Sequence, residues 1–550
     1  MLLYCVTGEV KHNRIAMKKI LLIICGLTFA AGVSFGRDAS LANKDKSGLY
    51  ARSIEHILRL DEDEVDLATA VLIISEQWND NVYGRRYVSR LDDMAREIRD
   101  ELEAQGLAAN YRAIGAINKY LFEKEGFKSV AEANDPNDLF LHCVLDRKQG
   151  YCLSLSILYL SLAERLGLPL YGVAVPGHFF VRYDDGNVRF NIETTSKGAN
   201  ATDEYYINKF KMPKIDSSSI YMKNLSKMQT LGCFFNNLGN SYNDIGNSEQ
   251  AMLALERAVQ INPSLAESHT NLGNIYLRAN RIEDAIYQYE AAVEINPADA
   301  KTHNNLGNAY AKNGWLKDAI LQYSESLRLD PKFIDAYRNL ANVYCREQMF
   351  AKAESAVKKA LDLNSKDIGC INQLADVYSQ KGDYKGAILQ YKKALRIKHD
   401  SADAYYGIGV CYSKLGLIDD EISAYEKALE IKPDMAAALA NLGNAYFSKK
   451  EYGAAIELYS RAIQLTPADG AIYHNLGAAY SNKGQYEEAA NAYLKASELS
   501  PRMADAHNGL SFVFYKLKEY QLAAKHMRIA EQLGSEIPED LRRAIEEKLR

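Results

Sequence analysis

A period of 34 residues constrains this chain more than any other feature it has. Gly239, Gly273, Gly307, Ala341, Ala375, Gly409, Gly443, Gly477 and Ser511 stand 34 residues apart. An aromatic side chain keeps the step three residues later, at Tyr242, Tyr276, Tyr310, Tyr344, Tyr378, Tyr412, Tyr446, Tyr480 and Phe514. Proline keeps it too, at Pro263, Pro297, Pro331, Pro433, Pro467 and Pro501, with Ser365 and His399 in the two gaps. Nine registers agree without an insertion. Such a sequence folds as stacked copies of one small unit, each burying its apolar face against its neighbours.

The small residue, the aromatic and the closing proline resemble the tetratricopeptide repeat (TPR). The resemblance covers residues 232–537 and implies nine pairs of antiparallel helices in an all-α solenoid. The tyrosines then fill the space between helices, and Ala251, Ala285, Ala319, Ala353 and Ala387 pack from the second helix. The 37 tyrosines therefore read as core rather than as a cofactor box. Glu421 breaks the alanine pattern and predicts a looser sixth repeat. Residues 538–550 are charged, as suits a capping helix. His269, His303 and His507 fall at a packing position and are expected to be structural.

The first helices also carry amides in register. Asn237, Asn271, Asn305, Asn339, Asn441 and Asn475 share one position; Asn240, Asn274, Asn308, Asn342 and Asn444 follow three residues later on the same helix face. In this repeat family those positions line the groove, where amides donate to and accept from a peptide backbone. The pattern resembles the asparagine ladder of O-linked N-acetylglucosamine transferases and implies a bound protein or extended peptide. The bland alternative is asparagine as a mere consensus residue.

The preceding 180 or so residues have a different texture. Helical periodicity covers 52–78, 88–104 and 110–125, and Cys152–Leu166 is a helical run stopped at Gly167 and Pro169. Residues 170–175, 178–183 and 188–194 read as strands, the last two joined by Asp184-Asp185-Gly186-Asn187. This is an α+β domain. Cys152 at a helix start feels the positive end of the helix dipole, which favours a thiolate. His178 at a strand start is its candidate base.

Three stretches resemble the SirB1-type proteins of the transglutaminase-like superfamily: Ala116–Phe127, Val144–Leu170 and Pro176-Gly177-His178-Phe179-Phe180-Val181-Arg182. The resemblance spans roughly residues 50–227 and implies a papain-like core. It implies Cys152 as nucleophile, His178 as base and Asn191 as the residue that orients the imidazole, with Glu193 as the alternative third member. Many SirB1-type proteins carry an Ile-Pro-like pair where this chain has Tyr151-Cys152, so the cysteine is a departure. His142 and Cys143 are read as structural, because no motif places them at the reaction centre.

Met17-Lys18-Lys19, the apolar run Ile20–Val33 and the small Ser34 and Gly36 predict a signal segment over 1–36, with Met17 as an alternative start and 37–49 as linker. The expectation is an exported protein, periplasmic or extracellular, anchored in the membrane if the segment is not cleaved. No other run is long enough to span. Cys5 and Cys25 would leave with the signal. Cys143, Cys152, Cys233, Cys345, Cys370 and Cys411 contain no CxxC pair, so neither a zinc site nor any other cofactor is expected. Free thiols at Cys143 and Cys152 are preferred over a disulfide between them. A net charge of −5 argues against nucleic acid. The leading expectation is a cysteine-dependent acyl-transfer or hydrolytic domain joined to a peptide-binding array. The competing one is a non-catalytic scaffold.

Overall fold

The computed structural model describes residues 53–78, 82–130, 135–210, 212 and 220–550. The expected signal segment 1–36, its cleavage after Gly36, the linker, Cys5 and Cys25 lie outside the described residues. The chain forms two compact units. The first runs to Tyr206 and takes back Lys223–Leu231; the second includes Gly232–Arg550.

The first unit is helices followed by a sheet. The helical pattern predicted over 52–78 breaks in two, giving Ile54–Ile57 and Leu67–Trp78. The break has a local cause. Asp66 accepts from the Thr69 backbone N–H (2.8 Å) and hydroxyl (2.5 Å), which caps the second helix and starts it afresh. Gly84–Ala104 and Ala113–Asn118 follow, the latter continued by a π turn over Lys119–Lys124. Two short strands, β1 (Lys128–Ser129) and β2 (Gln149–Gly150), pair in parallel on either side of helix Leu141–Arg147.

Helix Cys152–Leu166 is apolar all round and nearly all buried, as a helix through the middle of a domain should be. Its serines are internally satisfied. Ser161 donates to the Ile157 carbonyl at 2.6 Å, and Ser154 to the Asp138 carbonyl at 2.7 Å. The Ser154 hydroxyl also accepts from the Tyr151 N–H (2.9 Å), closing the helix start behind Cys152. Strands β3 (Leu170–Val175), β4 (His178–Asp184), β5 (Arg189–Glu193) and β6 (Ala199–Ala201) form one antiparallel sheet in chain order. Pro176-Gly177 joins β3 to β4 as a two-residue turn. Its proline presets one φ and its glycine supplies the positive one (72°), so His178 is the first rung, opposite Val175. The β4–β5 turn is held by Asp185, which accepts from the N–H groups of Asn187 and Val188.

The second unit is the repeat array. Among the described residues nine helix pairs run from Lys227–Asp244 with Ser248–Ile261 to Ala504–Lys516 with Tyr520–Gln532, followed by the helix Glu539–Leu549. At Gly273, Gly307, Gly409, Gly443 and Gly477 the small residue seats a tyrosine ring from its own second helix, and at Gly239 it seats Leu255. A Cβ added at Gly307 would stand 2.7 Å from Tyr323 Cε1, and one at Gly443 the same distance from Tyr459. Glu421 is buried at the alanine position, its carboxyl raised by burial and lowered by a hydrogen bond with Ser413.

The histidines of the array are scaffold groups. His269 bonds Gln288 (2.7 Å) and the Pro263 carbonyl (3.1 Å); His303 does the same with Gln322 and Pro297. In the last repeat His526 replaces that glutamine, and its Nδ1 lies 3.0 Å from Nδ1 of His507. Two ring nitrogens facing each other share one proton and have no room for a second. Burial first, then the charge of His507, pushes His526 down to about 4. A base with a depressed folded pKa stabilises the fold above its unfolded value near 6.5, and that contribution is lost as pH falls towards 4. By pH 5 the loss amounts to about 2 kcal/mol. His526→Gln, which installs the partner found in earlier repeats, should therefore lose less urea stability than wild type between pH 7 and 5. Equal losses would refute the shared-proton account.

Candidate active site and the amide ladder

Two buried side chains, Cys152 and Glu193, and the partly buried His178 converge in the first unit. Cys152 begins its helix with 3% of its surface exposed. His178 begins β4 and Glu193 ends β5. His178 Nε2 lies 2.7 Å from Glu193 Oε2, and the ring is also hydrogen-bonded to the Cys152 thiol. Burial disfavours a charged ring, yet the bonds to Cys152 and Glu193 outweigh it and raise His178 to about 9. Burial likewise opposes the carboxylate, but the imidazole and the Thr195 donors hold Glu193 at about 2. The pair is an imidazolium facing a carboxylate, each group stabilising the charge of the other.

Four donors fix Glu193. Oε1 accepts from the Thr195 N–H (3.1 Å) and hydroxyl (2.5 Å), and Oε2 accepts from the Tyr206 hydroxyl (2.9 Å) as well as from His178. The Tyr206 ring stacks on Phe180, with centroids 3.9 Å apart, and lies over His178 at 6.2 Å. Behind Cys152, Thr194 shares a 3.0 Å hydrogen bond with Ser156.

The structure does not bring Asn191 to the imidazole. The ladder pairs Val181 with Ile192 and Arg182 with Asn191, so Asn191 sits opposite a residue four places along β4 from His178. That is roughly 13 Å at 3.3 Å per residue. Glu193, two residues on along the same face, projects towards the first rung instead. Asn191 belongs to a second buried cluster. Its Oδ1 accepts from Arg182 Nε (2.7 Å), and its Nδ2 donates to the Ala201 carbonyl (2.9 Å) and to Asp203 (2.7 Å). Arg182, fully buried, donates a further bond of 2.7 Å to Asp203. The motif from His178 to Arg182 thus holds one reactive-type group and one anchor of the sheet.

His142 and Cys143 also touch, Nε2 to Sγ at 3.1 Å, but with the opposite electrostatics. Burial raises the Cys143 thiol and lowers the His142 imidazole, which favours the neutral pair. Cys143 and Cys152 are both free thiols. Among the described residues no group of three or more His, Cys, Asp or Glu side chains is placed to hold a metal ion.

The array's amides turn out to be bonded to the scaffold. Asn274 Oδ1 accepts from the Tyr289 hydroxyl (2.7 Å) and from Asn305 Nδ2 (3.1 Å) of the next repeat. Asn308 accepts from Tyr323, and Asn444 from Tyr459 and Asn475. In the other row Asn271 donates to Asn236, Asn339 to Asn304, and Asn441 to the Tyr406 hydroxyl. Asn236 donates to Asn237 at 3.4 Å. Asn342 departs from the tyrosine pattern and accepts from Gln373 instead. In the row of Asn274, Asn308, Asn342 and Asn444 the carbonyl ends are thus committed to the scaffold and the spare capacity is N–H, whereas in the other row N–H groups are spent on the neighbouring repeat.

The Transglutaminase-like superfamily pattern matches residues 85–232. TPR patterns match 239–280, 273–314, 375–416, 443–484 and 481–518, with further tetratricopeptide matches at 300–333 and 402–435. The chain is a transglutaminase-like domain followed by tetratricopeptide repeats. A UPF0162 protein of Xylella fastidiosa is 32% identical to this chain over 134 residues, 24% of this chain and 47% of that protein. A UPF0162 protein of Pseudomonas aeruginosa is 27% identical over 183 residues, 32% of this chain and 66% of that protein. Each match covers less than two thirds of the relative, and both support the SirB1-type reading of the domain. A tetratricopeptide repeat protein from Parabacteroides merdae is similar to the TPR array, with 19% identity, a TM-score of 0.40 and coverage of 45% of this chain and 98% of that one. Among the described residues no helix is long and apolar enough to cross a membrane.

The fallback Glu193 was visible in the sequence, but Thr195 and Tyr206 were missed. A hydroxyl two residues after an acid, as in Glu193-Thr194-Thr195, is a recognisable local capping pattern. Tyr206 left no comparable signal, because thirteen residues of chain separate it from the carboxylate it binds.

Proposed function

We propose that the transglutaminase-like domain is a cysteine-dependent acyl-transfer or hydrolytic centre of an exported protein, and that the TPR array holds a protein or extended peptide. The observation that carries the catalytic half is the hydrogen-bonded succession Cys152–His178–Glu193. Cys152 Sγ attacks an amide or ester carbonyl. His178, held as the imidazolium, carries the proton given up by the thiol and delivers it to the leaving group, with Nε2 engaged by Glu193. Glu193 orients the ring in the place the sequence reading gave to Asn191. The Cys152 N–H, at the first turn of its helix, is the candidate oxyanion donor.

Labelling of the full chain with iodoacetamide, resolved by mass spectrometry, tests this. Cys152 is expected to react faster than Cys143, and His178→Ala to remove the difference. Equal rates in wild type would sink the catalytic reading. One observation favours the competing scaffold reading: at 3% exposure, Cys152 meets a substrate only if its surroundings give way. In that case Cys152 stays unlabelled in the folded protein while the array still binds peptide. For the array, the support is the register of Asn274, Asn308, Asn342 and Asn444, whose amide N–H groups suit the carbonyls of an extended chain.

A further inference from the structure

The amide ladder breaks in mid-array, and the break has its own chemistry. Two successive repeats depart at both ladder positions, with Gln373 and Asp376 in one and Gly407 and Val410 in the next. A cavity of about 640 Å³ opens there, lined among others by Gln373, Asp376, Tyr391, Asp403, Tyr406 and Gly407. Gly407 helps to create it, since a Cβ at that position would stand 2.4 Å from Tyr391 Cζ.

The cavity reverses the polarity of the row that Asn274, Asn308, Asn342 and Asn444 form. Gln373 is 8% exposed. Its Nε2 is spent on the Arg338 carbonyl (2.7 Å) and Asn342 Oδ1 (2.6 Å), while Oε1 is buried without a hydrogen-bond partner among the described residues. Asp376 accepts from the Tyr391 hydroxyl in the place where other repeats carry asparagine. Asp376 and Asp403 are both exposed to solvent. Arg346 is the cation in the lining, and its Nη1 donates to the Ala311 carbonyl at 2.8 Å. What remains is a set of acceptors: two carboxylates and a buried amide oxygen. The complementary group is one that only donates.

We propose that Gln373, Asp376 and Asp403 form a subsite for an arginine side chain of a peptide lying along the ladder. This rests on the reading that the array holds a peptide. A guanidinium presents five donors in a plane, enough to reach a carboxylate and Gln373 Oε1 together, and its face suits the neighbouring Tyr406 ring. An ammonium fits the charge but has fewer donors and no plane. A peptide lacking a basic residue leaves Gln373 Oε1 unpaired.

The test is selection of a phage-displayed library of random dodecapeptides on the full chain, wild type and Asp376→Asn/Asp403→Asn. The variant should fold, because the first of the two substitutions installs the tyrosine–asparagine bond seen at Tyr289–Asn274, Tyr323–Asn308 and Tyr459–Asn444. Wild type is expected to enrich peptides with arginine at a fixed place, and the variant to lose that preference. Replacing the arginine of a selected peptide by citrulline, which keeps the shape and removes the charge, should weaken wild-type binding about tenfold or more and leave the variant unchanged. Enrichment of peptides without a basic residue, or equal binding of arginine and citrulline, overturns the subsite and leaves the groove reading standing. Enrichment of lysine over arginine overturns the planar recognition. Failure to enrich any peptide overturns the groove reading and the subsite with it.

Discussion

Glu193→Gln is expected to slow reaction at Cys152 by about 10² to 10⁴ while Asn191→Ala leaves its pH dependence in place. The asymmetry follows from donor counting. Each oxygen of Glu193 accepts two hydrogen bonds, from Thr195 on one side and from His178 and Tyr206 on the other. A glutamine must turn its NH₂ group towards one of those donor pairs, so neither orientation satisfies the site. The imidazole loses the carboxylate that helps to hold it near 9, and its protonation midpoint falls towards the ordinary value of 6.5. The alkaline limb of the alkylation profile should move down with it. Asn191→Ala instead strips Arg182 Nε of its acceptor, which costs about 1–3 kcal/mol of stability. It does not touch the imidazole. A downward shift of the alkaline limb in Asn191→Ala, with none in Glu193→Gln, would return Asn191 to the site and refute the Glu193 assignment. The same couple shapes stability. His178, with a raised folded pKa, contributes below pH 6.5 and loses that contribution as pH rises through about 9; Glu193 contributes above 4.5 and loses it as pH falls towards 2.

Cys152 and His178 are marked by local punctuation: a helix start after Gly150-Tyr151, and a strand start after Pro176-Gly177. Neither depends on distant chain. The choice between Asn191 and Glu193 depends on strand register, since residues two apart share a face and only the pairing with β4 says which of them meets His178. Periodicity gave the face but not the rung. Arg182 held the missing clue, because a buried guanidinium demands acceptors, and the residue directly opposite it is Asn191. The break near Asp66 was lost for a similar reason. Hydrophobic spacing runs through it, whereas the cap that ends the run depends on one side chain bonding its own backbone. The array was legible because each position is written nine times over, so one atypical residue cannot hide the pattern. What repetition could not give was the use of the amides. The tyrosine that donates to the Oδ1 of Asn274, Asn308 or Asn444 lies fifteen residues away, on the second helix, and only packing brings it there.

That packing makes the array's small residues its most sensitive positions, and Gly307→Val is the sharpest probe. The new Cβ would stand 2.7 Å from Tyr323 Cε1 and 2.8 Å from Cδ1. The ring cannot swing aside freely, because its hydroxyl is tied to Asn308 at 2.7 Å and the side chain is only 2% exposed. Overpacking costs about 1–3 kcal/mol, and a broken buried hydrogen bond adds about 1. Because solenoid stability is a sum of units and nearest-neighbour interfaces, a loss of about 3 kcal/mol in one central repeat uncouples those on either side. The urea transition should fall to a lower midpoint and broaden into two steps. Gly453→Ala supplies the opposite sign. Gly453 lies in helix Tyr452–Leu465, and an added Cβ meets nothing within 4 Å, so lost backbone freedom in the unfolded chain should stabilise the array by about 0.5–1 kcal/mol. If Gly307→Val unfolded with the wild-type midpoint, the repeated small residue would not be a seat for the tyrosine ring, and its nine-fold recurrence would need another cause. If both substitutions destabilised alike, glycine would be acting through the backbone at both places, and the distinction drawn from space alone would fail.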